Sequence, residues 1–252
     1  MAYFESHAHY DDKRFDDDRD ELLSILPSYG IDFIVNSGSD LKSSVFGLEL
    51  AAKYDYIYAS VGVHPHEVGN MSDETIEQLQ KLSENKKAVA IGEIGLDYYY
   101  DTYPREEQRK WFKKQLNLAK KVNKPVIIHS RDASQECFDI IKESGVNKGV
   151  IHCYSGSADM ALEYIKMGYF IGIGGVITFN NSKKLVDVAK VVPIENILIE
   201  TDSPYLTPVP NRGKRNDSRN LKYIVEKLAK IKGLEVNYIL DVTKNNAKKL
   251  FF

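Results

Sequence analysis

The order of apolar and polar residues alternates between two periods along the chain. Short apolar runs, typical of buried strands, are separated by longer stretches with apolar residues at i, i+3, i+4 and i+7, typical of amphipathic helices. The pattern predicts eight strands, at residues 3–6, 32–36, 56–62, 88–93, 125–129, 149–153, 169–173 and 196–201. It predicts helices near residues 20–29, 41–53, 73–84, 104–122, 133–143, 158–167, 182–191 and 219–231.

Eight strand-then-helix units of this length favour a TIM (β/α)8 barrel, an α/β fold, over an open doubly wound sheet. A further helix is predicted near residues 236–250, and we expect it to pack against the outside of the barrel. Neither a linker, nor a low-complexity tract, nor a shift in composition divides the chain. We therefore expect residues 1–252 to form a single domain.

Composition narrows the class of protein without identifying a function. The chain has 252 residues, of which 43% are hydrophobic and 28% are charged, which suffices for a large core. Its formal net charge is −2, so binding of nucleic acid would need a local basic patch. Two cysteines, Cys137 and Cys153, do not make a disulfide framework and fit a reducing compartment. With neither an apolar run long enough for a membrane span nor a leader-like N-terminus, we expect a cytoplasmic protein without a membrane partner.

All six histidines of the chain lie at or just after the ends of predicted strands. Functional groups of a TIM barrel gather at the carboxyl ends of its strands, so these side chains are expected to meet. One such histidine is more often a core or surface residue, but that interpretation does not easily explain six of six. The histidines are His7, His9, His64, His66, His129 and His152. Two carboxylates, Glu93 and Asp202, lie at the predicted ends of the fourth and eighth strands.

These residue types predict a centre with two divalent metal ions per subunit. His7 and His9 are spaced i, i+2, so on a strand they project from the same face and offer two imidazole ligands. Glu93 is central among the ligand strands and is the best candidate for a carboxylate that bridges both ions. The predicted ligands of one ion are His7, His9, Glu93 and Asp202, and those of the other are Glu93, His129 and His152.

Such a centre predicts hydrolysis. Two ions roughly 3.5–4 Å apart stabilise both the attacking and the leaving oxygen of a phosphoester and activate a water. Glu93 and Asp202 are therefore the predicted catalytic residues, and Asp202 is also the candidate base that orients or deprotonates the water. Imidazoles mixed with carboxylates accept Zn, Mn, Mg or Ni.

Residues beside these ligands predict a substrate that bears phosphate. Three cations in the loop at residues 210–216 suit an anion, although a solvated basic loop is an equally good interpretation. His64 is expected on the substrate side, with a supporting role behind the ligands or a place in the loop as alternatives. Tyr205 and the tyrosines at 98–100 can stack on bases or simply pack their loops. The predicted substrate-binding residues are His64, Arg131, Tyr205, Arg212, Lys214 and Arg215.

Together these segments resemble the TatD-type metal-dependent deoxyribonucleases, a family of amidohydrolase-like barrels, along nearly the whole chain. The matching segments are Ser6-His7-Ala8-His9, Val61-Gly62-Val63-His64-Pro65-His66, Gly92-Glu93-Ile94-Gly95-Leu96-Asp97-Tyr98, Pro125-Val126-Ile127-Ile128-His129-Ser130-Arg131, Ile151-His152-Cys153-Tyr154-Ser155-Gly156, Glu200-Thr201-Asp202-Ser203-Pro204-Tyr205-Leu206 and Arg212-Gly213-Lys214-Arg215-Asn216. The resemblance implies a TIM barrel, a divalent-metal site and hydrolysis of DNA. It carries the family's metal ligands onto His7, His9, Glu93, His129, His152 and Asp202.

Two positions depart from the family pattern. Glu5 stands two residues before the first histidine, where the family usually has Asp, and adds a methylene group beside the site. Asp217-Ser218 stand where the family usually has Glu-Pro. Neither departure removes a ligand.

Two other functions compete with a deoxyribonuclease that acts through metal-activated water. A barrel amidohydrolase acting on a small amide, ester or lactone would use the same ligands, although Arg131 and the cationic loop favour phosphate. A non-catalytic binding module on a degenerate barrel is disfavoured, because it has no need of six ligands. DNA is therefore the expected partner, and no obligate protein partner is expected.

Overall fold

The structure is a computed structural model that describes residues 2–100 and 102–252. In that part of the chain, eight parallel strands form one sheet, in which each strand pairs with the next in sequence. The strands are β1 (Tyr3–Ala8), β2 (Ile31–Ser37), β3 (Ile57–Val61), β4 (Ala88–Asp97), β5 (Val126–Arg131), β6 (Gly149–Ile151), β7 (Tyr169–Ile173) and β8 (Ile197–Ile199). The helices are α1 (Arg19–Ile25), α2 (Leu41–Lys53), α3 (Asp73–Ser83), α4 (Arg105–Lys121), α5 (Ser134–Ser144), α6 (Ala158–Lys166), α7 (Lys183–Val191), α8 (Leu221–Lys232) and α9 (Val236–Phe251). The predicted TIM barrel with an additional C-terminal helix is confirmed.

The ring of strands closes between β8 and β1, beyond the end of β8. The backbone N–H of Asp202 donates to the carbonyl of His7 (3.0 Å), and the N–H of His9 donates to the carbonyl of Ser203 (2.7 Å). The hydroxyl of Ser6 adds a hydrogen bond to the carbonyl of Ile199 (2.9 Å). Closure of the barrel therefore brings Asp202 beside the two histidines of β1, almost 200 residues away in sequence.

Strand β4 is longer than predicted and carries an irregularity at Glu93. The strand continues to Asp97 because residues from Ile94 onward pair with β5. The register shifts between Ile91 and Ile94, and there the N–H of Glu93 donates to the carbonyl of Gly38 (2.7 Å). Gly92 is required at this point, since a Cβ would lie 2.7 Å from the Cβ of Ile127. Glu93 therefore lies within β4. The sequence had predicted it at the end of this strand, and that prediction is wrong.

Side chains inside the barrel form an apolar layer below a polar one. The apolar layer contains Phe4, Val35, Val89, Ile127, Val150, Phe170 and Leu198. Two residues further along four of these strands stand Ser37, His129, His152 and Glu200. Side chains on one face of a strand repeat every two residues, so the period that builds the core also directs polar groups toward the carboxyl ends.

The C-terminal helix α9 packs partly outside the barrel and partly across its amino end. Ile239 and Leu240 belong to the cluster between the helices and the sheet, as predicted. The last turn differs, because Leu250 and Phe251 join the inner apolar cluster. The ring of Phe251 stacks on that of Phe4, with centroids 5.9 Å apart and planes at 12°. Among the described residues, no helix has both the length and the apolar character to cross a bilayer.

Candidate metal centre

Glu93 lies at the centre of the site, with its two carboxylate oxygens directed at different groups of histidines. Oε2 is 3.3 Å from Nε2 of His7 and 3.6 Å from Nε2 of His9. Oε1 is 2.9 Å from Nδ1 of His129 and 2.8 Å from Nε2 of His152. The side chain is almost completely buried. One carboxylate thus joins two groups of nitrogen donors, which is the geometry that bridging two ions requires.

Asp202 completes the group on the Oε2 side. Its Oδ1 is 3.6 Å from Nε2 of His7 and 3.5 Å from Nε2 of His9, and these two nitrogens are 3.1 Å apart. Ligand atoms around a tetrahedral ion with bonds of about 2.1 Å are about 3.4 Å apart. The four donors, two imidazoles and two carboxylates, therefore fit one divalent cation. The backbone of Asp202 is left-handed (φ +57°), a conformation that Asp adopts more readily than most residues.

The Oε1 side of Glu93 holds a second group of donors. Nδ1 of His129 and Nε2 of His152 are 3.4 Å apart, and each lies within 3 Å of Oε1. This group offers fewer protein ligands than the other, so a cation held here would keep positions free for water or substrate. All six side chains that the sequence predicted as ligands therefore meet in one cluster.

His7 and His9 are oriented through the ring nitrogen that does not face Glu93, and both use Ser37. Nδ1 of His7 is 3.0 Å from the hydroxyl of Ser37, and Nδ1 of His9 is 2.9 Å from the carbonyl oxygen of the same residue. Nδ1 of His9 therefore carries a proton, and a cation would bind His9 at Nε2, in place of the proton that Nε2 shares with Asp202. Ser37 ends β2 and was not predicted from the sequence.

A carboxylate lies behind each histidine of the second group. Nε2 of His129 is 3.0 Å from Oδ2 of Asp97, within hydrogen-bond distance, whereas Nδ1 of His152 is 3.7 Å from Oε1 of Glu200 and has no hydrogen-bond partner among the described residues. Carboxylates behind histidine ligands fix the ring and increase its basicity. The sequence analysis missed both roles, although Glu200 lies two residues before Asp202 and could have been found from the period of the strand.

His64 also reaches this cluster but has the wrong protonation for a ligand. Its Nε2 is 3.5 Å from Oε1 of Glu93, close enough to form a possible metal-binding group with His129. Its Nδ1, however, accepts a hydrogen bond from the backbone N–H of His66 (3.1 Å). A neutral imidazole has one protonated nitrogen, so the proton of His64 is on Nε2. The ring therefore presents an N–H donor, and not a lone pair, to the site.

The charges of the cluster favour a bound cation. Burial raises the pKa of Glu93, but the surrounding imidazoles of His152, His64 and His7 outweigh it and hold this pKa well below its usual value. Burial and the nearby His152 lower the pKa of His7 to about 4. Burial likewise opposes a charge on His9, but its bond to Asp202 and the charge of Glu93 raise its pKa to about 10. The ionised carboxylates and the unprotonated His7 suit a divalent metal, which would displace the additional proton of His9.

A cavity of about 680 Å³ opens onto the cluster. Its lining includes five of the six predicted ligands together with His64 and Tyr205, and also the acidic residues Asp11, Asp12, Glu67 and Asp97. Arg131 is the one lysine or arginine among the lining residues that the structure describes. Its guanidinium lies over the rings of Tyr99 and Tyr100, 4.0 and 4.8 Å from their centroids. The single cation of the described lining thus lies against two aromatic rings.

The cations of the loop at residues 210–216 lie outside the lining of this cavity. Arg215 forms a bidentate pair with Asp18 (2.7 and 2.6 Å). Arg212 donates to the carbonyl of Thr207 (3.0 Å) and lies over the ring of Phe179. Lys214 is exposed. The structure therefore gives two of these cations other partners, and their contact with substrate stays a prediction.

A family model described as "TatD related DNase" matches residues 4–252 of the chain. The chain is similar to the "uncharacterized metal-dependent hydrolase YabD" of Bacillus subtilis, with 41% identity over 250 residues that cover 98% of each chain. It is also similar to the "uncharacterized metal-dependent hydrolase MJ1582" of Methanocaldococcus jannaschii, with 38% identity, covering 100% of this chain and 97% of the relative.

Solved structures show the same likeness. The crystal structure of YJJV, a TatD homolog from Escherichia coli, superposes with a TM-score of 0.93 at 32% identity, over 99% of this chain and 97% of that one. A phosphotriesterase homology protein from Escherichia coli, crystallised with phosphate in its active site, has a TM-score of 0.72 at 16% identity, over 100% of this chain and 99% of that one. At that identity, the second likeness concerns the fold alone.

Proposed function

The chain belongs to the TatD family of metal-dependent hydrolases, and we propose that it is a deoxyribonuclease that hydrolyses phosphodiester bonds of DNA with two divalent cations. The observation that carries this proposal is the position of Glu93, whose two oxygens face two separate groups of histidines. A bridging carboxylate of this kind suits the in-line displacement of a phosphoester, because both the attacking and the leaving oxygen need nearby positive charge.

The chain's own residues would hold the two cations in two groups. By the distances to Glu93 and Asp202, one group is His7, His9, Glu93 and Asp202, and the other is Glu93, His129 and His152. When bound, the cations supply charge that lowers the pKa of water and stabilises phosphate oxygens. The donor set accepts Zn, Mn, Mg or Ni.

Asp202 is the proposed base. It lines the cavity, and although burial raises its pKa, the hydrogen bond from His9 and the neighbouring imidazoles lower it below its ordinary value. The carboxylate is therefore ionised at neutral pH and can accept the proton of the attacking water.

His64 and Arg131 are the proposed contacts to the phosphate. His64 presents its Nε2–H beside Oε1 of Glu93, where a neutral donor can bind a phosphate oxygen without competing for a cation. Arg131, in the same lining, offers a guanidinium with paired donors, suited to a second phosphate oxygen. Tyr205, also in the lining, is available to contact a base.

A second candidate is hydrolysis of a small amide, ester or lactone. The observation that favours it is the charge of the cavity, where Arg131 is the single lysine or arginine among the described lining residues, which include the acids Asp11, Asp12 and Glu67. A lining of this kind repels a polyanion, and the same donors would activate water toward a carbonyl.

Metal analysis combined with a substrate panel tests these proposals. The purified protein is assayed for bound metal by mass spectrometry and for turnover of single-stranded DNA, duplex DNA, a small phosphodiester, a lactone and an amide. We expect two equivalents of metal and activity on DNA. Glu93→Ala is expected to lose bound metal and activity, and Asp202→Ala to lose about 10²- to 10⁴-fold in rate, the usual contribution of a general base.

Glu163→Ala, on the exposed face of α6, is the matched control and should retain both metal and activity. A Glu93→Ala protein that degrades DNA at the wild-type rate contradicts the metal centre. Turnover of the lactone or the amide, with none of the phosphodiesters, would replace the first candidate by the second.

A further inference from the structure

Glu5 is a buried carboxylate that binds the segment carrying Asp202. Its Oε1 accepts from the backbone N–H of Thr201 (2.7 Å), and its Oε2 accepts from the hydroxyl of Thr201 (2.7 Å). The hydroxyl of Ser218, from the start of the segment before α8, also donates to Oε2 (2.9 Å). Glu5, Thr201 and Ser218 are all fully buried. The carboxylate therefore joins β1 to two segments that flank the long loop after β8.

The direction of each hydrogen bond in this cluster follows from its neighbours. When Glu5 is ionised, the hydroxyl of Ser218 donates to it and accepts from the hydroxyl of Tyr10 (2.7 Å), which in turn accepts from the N–H of Ser218 (2.9 Å). The hydroxyl of Thr201 also donates to Glu5, so it accepts from the hydroxyl of Ser203 (2.6 Å). Each of these hydroxyls donates its proton to one acceptor. Removal of one member therefore leaves a buried polar group without a hydrogen-bond partner.

Asp202 is held between two members of this cluster. Thr201 precedes it and Ser203 follows it, and both are bound into the network that ends on Glu5. Asp202 itself has a left-handed backbone and donates its N–H to the carbonyl of His7. The neighbours therefore decide where its carboxylate lies relative to His7 and His9, in a conformation that an L-residue seldom adopts.

The two departures from the family pattern meet in this cluster. Glu5 and Ser218 are 213 positions apart in sequence, and their side chains form a direct hydrogen bond. A proline at position 218 would have neither the hydroxyl that reaches Oε2 of Glu5 nor the N–H that reaches Tyr10. The longer acid at position 5 and the hydroxyl at position 218 are therefore matched to one another.

We propose that Glu5 and Ser218 act as a pair of positioning residues that place Asp202 for the ion held with His7 and His9. The pair rests on the metal centre proposed above, but it concerns only one of its two sites. Its effect should thus be selective, because Asp97, which forms a hydrogen bond with His129 of the other site, lies outside this network.

A double-mutant cycle read out by metal binding tests the pair. Glu5→Gln, Ser218→Ala and the double variant are titrated with Co²⁺ in the full chain, with the absorption bands of the bound ion and the stoichiometry as readouts. We expect Glu5→Gln to weaken one of two Co²⁺ sites about 10- to 100-fold, the usual cost of losing a residue behind a ligand, and to change the bands of that site alone. Ser218→Ala should have a smaller effect on the same site. The double variant should equal Glu5→Gln, since Ser218 acts through Glu5.

The kinetic readout is a fall in kcat with KM within about two-fold of wild type, because the proposed substrate contacts His64 and Arg131 are unchanged. Equal weakening of both sites, additive effects of the two substitutions, or an unchanged Glu5→Gln protein would overturn the pair. A wild-type protein that binds fewer than two ions would instead contradict the proposed centre. If Glu5→Gln does not fold, judged by circular dichroism, Ser218→Ala alone decides: an unchanged Co²⁺ site then overturns the proposal.

Discussion

Arg131 and Arg215 carry the same charge, and their contacts separate their roles. Arg131, at the end of β5, lines the cavity and has its guanidinium over two tyrosine rings. Arg215, in the loop after β8, directs both of its terminal nitrogens at Asp18. A guanidinium whose donors are used by a carboxylate has few left for a phosphate. The sequence treats the two residues as equivalent cations, and only their surroundings distinguish them.

Replacing each arginine by alanine tests this distinction. Arg131→Ala is expected to raise KM for a phosphodiester substrate about 10- to 100-fold, because a hydrogen bond to a charged group contributes about 1.5–3 kcal/mol. Arg215→Ala should leave KM within about two-fold and lower the free energy of unfolding by about 1 kcal/mol or less, since the pair with Asp18 is partly exposed. Steady-state kinetics and urea denaturation measure the two effects. An equal rise in KM for both variants would assign the loop cation to the substrate after all.

Among the elements, α9 departs most from its predicted place. Its sequence has the period of a helix that lies on the surface of a barrel. The first half of α9 does lie there. The strands, however, leave the amino end of the barrel open, and the inner apolar side chains there need a cover. Leu250 and Phe251 supply it by joining the inner cluster. Helical periodicity identifies the buried face of α9 but not the surface that this face meets.

Truncation of Phe251 measures the contribution of this cover. Phe251→Ala is expected to lower the free energy of unfolding by about 3 kcal/mol, because it removes a buried ring that stacks on Phe4. Tyr238→Ala, on the exposed face of the same helix, should cost less than about 1 kcal/mol. Urea denaturation of both proteins makes the comparison. Similar losses for the two would mean that the last turn of α9 does not seal the barrel.

For the molecule as a whole, the apolar layer inside the barrel stabilises the native state, and the polar cluster above it at the carboxyl ends destabilises it. Four histidines and two carboxylates meet in a region with little access to water, and the removal of their polar atoms from water costs free energy. Cations that bind the native state and not the unfolded state would offset this cost. The barrel should therefore be more stable with metal than without it.

Removal of metal by a chelator tests that expectation. One ion at 100 times its Kd adds about 2.7 kcal/mol to the native state, so Tm should fall by about 5–10 °C for each site emptied. Addition of Zn²⁺ or Mn²⁺ should restore it, and differential scanning calorimetry measures both steps. In Glu93→Ala the same treatment should change Tm little, because the bridging ligand is absent. A chelator-independent Tm in the wild-type protein would argue against bound cations.

The order of residues was enough to predict the barrel and the six proposed ligands. The reason is local: strand and helix periods are read over a few residues, and parallel strands bring their carboxyl ends to one rim whatever their sequence separation. His7, His129 and His152 could therefore be grouped without knowledge of any long-range contact. The same reasoning failed for Glu93 in detail, because the extension of β4 depends on its pairing with β5.

Other contacts were decided only by the tertiary structure, because the periodicity of strands and helices does not relate the positions of the residues involved. The protonation of His64 depends on the N–H of His66 beyond a proline, and the use of Arg215 depends on Asp18, 197 positions away. The hydrogen bond between Glu5 and Ser218 exists only because closure of the barrel brings the loop after β8 onto β1. In sequence, these two residues are separate departures from a family pattern. In the folded chain they are neighbours, since hydrogen bonds form over about 3 Å regardless of how much chain lies between the partners.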